Sequence, residues 1–167
     1  DTRNRKILSP AETINGITVG SIHSDTSTFS VTGFNINPFK NILPSPVSAF
    51  GGGYGRSVKP DLVFPGGKQL YRKRPVGDPI TLEAVSFISA PGNKVAYTGN
   101  STGSLDATAY TCGTSNATAL MSRAAESCYD ALSHIFDEQA DESFDRSKYE
   151  VPLLKAMLIH GCTWKDI

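Results

Sequence analysis

The chain has 167 residues, enough for one domain with a substantial core. Its 16 Lys and Arg balance 16 Asp and Glu, so no net field favours nucleic acid or an anionic membrane surface as a partner. No apolar run has the length that spans a bilayer, and Asp1-Thr2-Arg3-Asn4 does not read as a signal peptide.

In chain order, residues 14–22 are rich in β-formers and end in polar residues, which predicts a strand with His23 in an exposed turn behind it. Residues 26–55 carry Ser, Gly, Pro and Asn with few periodic apolar positions and read as loops. Within them, Gly51-Gly52-Gly53-Tyr54-Gly55 lacks the Gly-Lys-Ser/Thr ending of a phosphate loop and reads as flexible backbone near a cleft. Leu62-Val63-Phe64 is a short strand of buried type, stopped by Pro65-Gly66-Gly67. Tyr71-Arg72-Lys73-Arg74 is too short a basic run for a nucleic-acid patch and reads as a solvated loop. Residues 80–89 alternate loosely, as another strand would. Val95-Ala96-Tyr97 and residues 107–110 can pair as a hairpin across Gly99-Asn100-Ser101.

Behind Ser115, the residues Ala117, Leu120, Met121, Ala124, Ala125, Cys128, Leu132 and Ile135 recur at three and four, predicting a helix with one buried face. His134 falls on it, where a surface or packing role is expected. Asp137, Glu138, Asp141, Glu142 and Asp145 follow as an acidic connection without the spacing of a calcium loop. A second helix is expected over residues 151–160, with Pro152 in its first turn, His160 at its end and Gly161 as its stop.

Cys112, Cys128 and Cys162 cannot all pair within the chain, and no Cys-x-x-Cys suggests zinc or redox chemistry. An odd, sparse set fits a reducing compartment. Asn116-Ala117-Thr118 is a glycosylation sequon, as is Asn100-Ser101-Thr102. A glycan on Asn116 would crowd Ser115, which disfavours a eukaryotic secretory route and leaves a bacterial or cytoplasmic one. Neither a metal nor a cofactor is expected.

Gly113-Thr114-Ser115-Asn116-Ala117 is the most informative segment. It puts a serine at the start of an Ala-rich helix, where unpaired N–H groups and the positive end of the helix dipole gather. Such a location stabilises both an alkoxide and the oxyanion of acyl transfer. For a bare Gly-Thr-Ser, an ordinary serine helix cap is the better reading. Cys112, three residues earlier, has no local base and reads as a small core residue rather than a rival nucleophile.

Surrounding segments carry the argument further. Ser9-Pro10-Ala11-Glu12 with Ile17-Thr18-Val19-Gly20 stand upstream, followed by Lys59-Pro60-Asp61-Leu62-Val63-Phe64-Pro65-Gly66. Leu153-Leu154-Lys155-Ala156-Met157-Leu158-Ile159-His160 stands downstream. In this order, with Gly-Thr-Ser-x-Ala between them, the chain resembles the C-terminal half of subtilisin-like serine proteases (subtilases) from about Ser9 to His160. The resemblance implies an α/β fold, part of a doubly wound, mainly parallel sheet with flanking helices, whose N-terminal half is absent. Residues 1–167 would then be the C-terminal portion of a peptidase domain, with that N-terminal half as partner and a polypeptide as substrate.

The resemblance also implies roles. Ser115 would be the nucleophile. Leu8, Pro10 and Ala11 would wall the primary specificity pocket, with Leu8 where relaxed-specificity members carry glycine; the alternative is that Leu8 turns into the core. Asp61 would be structural. The family's Asp and His motifs do not occur here, so both catalytic partners are expected outside the chain. The oxyanion-hole Asn is expected upstream as well, because Asn4 lacks the preceding Ala-Gly. Ala119 and Leu120 replace a Pro and a His that many subtilases carry, neither of which performs chemistry. The alternative function is a non-catalytic subtilase-fold module that binds a partner.

Overall fold

The computed structural model describes residues 5–28, 33–39, 43–74, 81–85, 89–99, 103, 105–139 and 145–162. Their elements, in order, are β1 (Val19–Ile22), β2 (Asn35–Ile36), β3 (Gly51–Gly52), a 3-10 turn (Tyr54–Arg56), β4 (Val58–Lys59), β5 (Leu62–Pro65) and β6 (Leu70–Arg74). β7 (Thr81–Val85), β8 (Asn93–Ala96), β9 (Thr108–Thr111), α1 (Thr114–Gln139) and α2 (Arg146–His160) follow. The fold is mixed α/β.

β1 and β5 pair in parallel, Val19 opposite Leu62 through Ile22 opposite Pro65. The chain between them is long enough for the crossover that parallel pairing requires. The other described pairings, β2–β6, β3–β4, β6–β7 and β8–β9, are antiparallel. The expectation of a mainly parallel sheet is therefore met in the β1–β5 pair alone among the described strands. Successive strands joined by short links, such as β3 and β4 or β6 and β7, have no length for a crossover and must run antiparallel.

One apolar cluster holds the parallel pair to both helices. Val19, Leu62, Ala117, Met121 and Leu158 are buried together, with Ile17, Phe64, Ala125, Cys128 and Leu154 packed around them. α2 lies antiparallel to α1. Arg146 at its start reaches Asp137 and Ser133 late in α1, while Leu158 near its end joins Ala117 and Met121 early in α1. The Lys155 ammonium donates to the carbonyls of Ile14 and Gly16 at 2.7 and 2.9 Å, tying α2 to the segment entering β1. Lys59, 1% exposed, reaches Asp61 at 2.6 Å, and the same carboxylate accepts from the Thr18 N–H at 2.7 Å. Burial alone would raise the Asp61 pKa; the Lys59 and Thr18 hydrogen bonds more than offset it and hold the carboxyl below its ordinary value.

Several expectations change. The strand expected over residues 14–22 begins at Val19, because the carbonyls of Ile14 and Gly16 are taken by Lys155 rather than by a neighbouring strand. Residues 26–55 are largely irregular, as expected, but contain the two-residue strands β2 and β3. The basic run at 71–74 is not a loop. It forms β6, central in a three-stranded sheet, and Arg74 pairs with Glu83 across to β7 at 2.6 Å. Cross-strand ion pairing lets charged residues occupy a strand whose outer face is wet.

The hairpin of β8 and β9 forms, extended by Tyr97 N–H donating to the Ala107 carbonyl at 2.9 Å; residues 100 and 101 of its expected turn lie outside the described residues. α1 begins at Thr114, and α2 begins five residues before the expected start at 151. Asp145 accepts from the Lys148 N–H and caps α2, and Arg146 pairs with Glu150 one turn on. Pro152 consequently sits inside the helix rather than in its first turn. Gly161 ends it as expected, donating to the Met157 carbonyl at 3.0 Å. Of the acidic connection, Asp141 and Glu142 lie outside the described residues.

Candidate active site

β1 and β5 run side by side and end together at Ile22 and Pro65. The turn that follows folds over these carboxyl ends. Gly66 N–H donates to the Ile22 carbonyl at 3.1 Å, and Gly67 N–H to the Ser24 carbonyl at 3.0 Å. Gly66 then offers its own carbonyl to Gly113 N–H at 2.8 Å. This bond seats the Gly113-Thr114-Ser115 segment on the ends of the parallel strands, where open α/β sheets place their ligands.

Two glycines make the close approach feasible. A Cβ on Gly66 would collide with the Ser21 hydroxyl and lie 2.8 Å from the Gly113 carbonyl oxygen. Gly113 itself has φ +150, a conformation that disfavours side chains.

Ser115 is the second residue of α1 and is exposed. It does not occupy the cap position, which falls to Gly113. The first intrahelical bond runs from Ala117 N–H to the Gly113 carbonyl at 3.4 Å, so the N–H groups of residues 114–116 precede the hydrogen-bonded ladder. Thr118 bonds back to the Thr114 carbonyl, and Asn116 bonds Thr111 Oγ1 at 2.9 Å and the Gly66 carbonyl at 3.5 Å. The neighbours of Ser115 are thus tied down. Its own hydroxyl makes no hydrogen bond among the described residues, and faces solvent beside open N–H donors.

Leu8, Pro10 and Ala11 form a turn closed by Ala11 N–H to the Leu8 carbonyl at 2.8 Å. Thr18 Oγ1 donates to the Ala11 carbonyl at 2.6 Å, and Tyr54 N–H to the Glu12 carbonyl at 2.9 Å. Leu8 is 74% exposed rather than turned into the core. Among the described residues, no hydrogen bond joins this turn to the Ser115 segment.

The placement of His23 corrects the expectation of an exposed turn. It is fully buried, edge-on to Phe39 at 5.5 Å between ring centroids. Its Nε2 lies 2.7 Å from Asn37 Oδ1, and its Nδ1 accepts from the Gln69 N–H at 3.3 Å. That pattern fits the neutral ring with its proton on Nε2. Burial lowers its pKa, against the raising influence of Asn37 and of the Asp25 charge. Beside it, Asp25 accepts from the N–H and hydroxyl of Ser27 and from Lys68 N–H, and Lys68 Nζ stands 3.5 Å away. Burial would raise the Asp25 pKa, but these donors outweigh it and leave the carboxyl below its ordinary value.

The sequence reading passed over Gln69. It is buried, donates through Nε2 to the carbonyls of Leu70 and Val85, and accepts through Oε1 from the Cys112 thiol at 3.0 Å. Cys112 is half-buried just after β9, and burial pushes its pKa up. A cavity of about 320 Å³ opens beside it, walled by Lys68, Leu70, Val85, Tyr97 and Tyr110. No sequence pattern announces Gln69, because its partners other than the adjacent Leu70 lie 16 to 46 positions away.

Among the described residues, neither remaining histidine hydrogen-bonds Ser115. His134 lies more than five turns along α1, about 28 Å at the helical rise. His160 ends α2 and shares no hydrogen bond with Ser115. Among the described residues, no three of His, Cys, Asp and Glu gather closely enough to hold a metal ion, and no helix is long and apolar enough to cross a membrane.

An exposed serine in the first turn of a helix, seated over the carboxyl ends of parallel strands in an α/β domain, is an arrangement that nucleophilic serine chemistry can use. The model of the subtilase family matches residues 1–161, and the chain belongs to that family of serine peptidases. Comparisons with curated proteins and with solved structures returned no match.

Proposed function

We propose that residues 1–167 are the C-terminal portion of a subtilisin-like serine endopeptidase domain, with Ser115 as nucleophile. Ser115 Oγ attacks the scissile carbonyl, its proton passing to a histidine base and from there to the leaving amine. The C–N bond breaks, and water then releases the acyl group. The Ser115 N–H donates to the oxyanion. The observation that carries the reading is a hydroxyl in the first turn of α1 that has no hydrogen bond among the described residues, beside N–H groups that precede the helical ladder.

The base and its orienting carboxylate come from outside this chain. His23 is locked between Asn37 and Gln69, and His134 is remote. The N-terminal half of the same domain supplies both, and completes a doubly wound, mainly parallel sheet around β1 and β5. Val63 supports this, being an apolar residue 41% exposed between the buried Leu62 and the partly buried Phe64. Leu8, Pro10 and Ala11 wall the pocket for the residue on the acyl side of the scissile bond. The exposure of Leu8 is compatible with that role.

The test is labelling of the full-length protein with a fluorophosphonate, followed by peptide mapping. Modification of Ser115, abolished by Ser115→Ala together with hydrolysis of peptide substrates, is the expected result. An unlabelled Ser115 in folded full-length protein would defeat the reading and favour a non-catalytic binding module.

A further inference from the structure

We propose that Gln69 is a positioning residue for the nucleophile: its buried carboxamide fixes the Cys112–Ser115 segment against β7, and its backbone N–H ties the same point to His23 behind β1. The proposal rests on the reading of Ser115 given above. It concerns a residue that touches no reacting atom.

The Ser115 segment is held at two points. On one side Gly113 N–H is fixed by the Gly66 carbonyl at 2.8 Å. On the other, the Cys112 thiol donates to Gln69 Oε1 at 3.0 Å. A single hydrogen bond acts as a pivot; a second, one residue away on a different element, removes the rotation. Because the Ser115 side chain makes no hydrogen bond among the described residues, the path of residues 111–114 sets where its hydroxyl points.

Gln69 is suited to be the fixed end. Its Nε2 spends both protons on carbonyls, Leu70 at 2.8 Å and Val85 at 2.9 Å. Its backbone N–H is held by His23 Nδ1, itself anchored through Nε2 on Asn37. Three pieces of chain therefore meet at the carboxamide, namely β6, β7 and the nucleophile segment, and the backbone N–H of the same residue adds a fourth, the end of β1. A carboxamide is the neutral side chain that donates twice and accepts from one end of so short a stem. A fully satisfied buried network of this kind holds one geometry, because moving any member strands a buried polar group. Small displacements of a reacting group cost rate rather than binding.

The experiment uses the full-length protein. Gln69→Met removes all three side-chain hydrogen bonds at similar volume. It should lower kcat about tenfold while KM stays within twofold, since the substrate pocket is not touched. Iodoacetamide should alkylate Cys112 faster in this variant, followed residue by residue through peptide mapping, because the thiol has lost its acceptor. A paired set covers the case in which Gln69→Met fails to fold. Cys112→Val, which cannot donate, should lose kcat, and Cys112→Ser, which can, should recover most of that loss.

Unchanged kcat in Gln69→Met, a loss lying wholly in KM, unaltered Cys112 alkylation, or Cys112→Ser as impaired as Cys112→Val would each overturn the proposal. Retained activity in Ser115→Ala would instead overturn the nucleophile reading. The Cys112 alkylation rate would still report on the Gln69 link in that event.

Discussion

Substituting Gly66 by alanine probes the closest approach in the site. The added Cβ would lie 2.8 Å from the Gly113 carbonyl oxygen and would also meet the Ser21 side chain. Carbon–oxygen contacts settle at about 3.3–3.6 Å, so the Gly113 carbonyl must retreat by roughly 0.5 Å or more. Ser21 is completely buried and cannot swing into solvent. Overpacking of this kind costs about 1–3 kcal/mol of stability. The catalytic penalty should be larger in proportion, because Gly113 is two residues from Ser115 and carries the 2.8 Å bond to Gly66. A displacement of that order at a nucleophile lowers kcat on the order of tenfold to a hundredfold. Denaturant titration and steady-state kinetics of the full-length Gly66→Ala protein measure the two effects separately. Adding Ser21→Gly should restore part of the stability but little of kcat, since the clash with the Gly113 carbonyl remains. A Gly66→Ala protein with full kcat would refute the claim that this turn sets the position of Ser115.

Three further outcomes are expected. His23 is buried neutral with a lowered pKa, so between the unfolded value of about 6.5 and the lower folded one the unfolded chain binds more protons. Stability should therefore fall as the pH drops below that value, and His23→Gln should flatten the dependence of the denaturant midpoint between pH 7.5 and 5.5; an unchanged slope would count against the buried neutral ring. Lys59→Met leaves the Asp61 carboxylate without its buried cation and should cost about 3 kcal/mol by chemical denaturation, where a loss under 0.5 kcal/mol would show the pair to be unimportant. Leu8→Gly in the full-length protein should raise the Phe-to-Ala ratio of kcat/KM on matched peptides by roughly tens-fold, and no rise would remove Leu8 from the pocket wall.

Much of this molecule was legible from residue order. The three- and four-residue spacing behind Ser115 gives α1 and its buried Ala117, Met121 and Leu132, since a helix fixes which side chains share a face, although Leu120 and Ile135 of the same pattern stay exposed. Pro65-Gly66 closing a short apolar run, and Gly113 before an Ala-rich stretch, mark where β5 stops and α1 begins, because backbone permissiveness is a property of single residues. The ordered segments also identify the family, which the match over residues 1–161 bears out. Pairing and burial of polar groups are different. That residues 71–74 form a central strand depends on β2 and β7 lying alongside, and charge pattern alone points the other way. The start of α2 moved to Arg146 because the Asp145 cap and the Arg146–Glu150 pair outweigh an interior proline. His23 looked exposed because a polar turn follows it; Phe39, Asn37 and Gln69, all distant in sequence, bury it. A side chain's helical or strand face is decided by its neighbours within a few residues. The company kept by a buried histidine, glutamine or thiol is decided only when the chain closes on itself, since hydrogen-bond partners are selected by proximity in space.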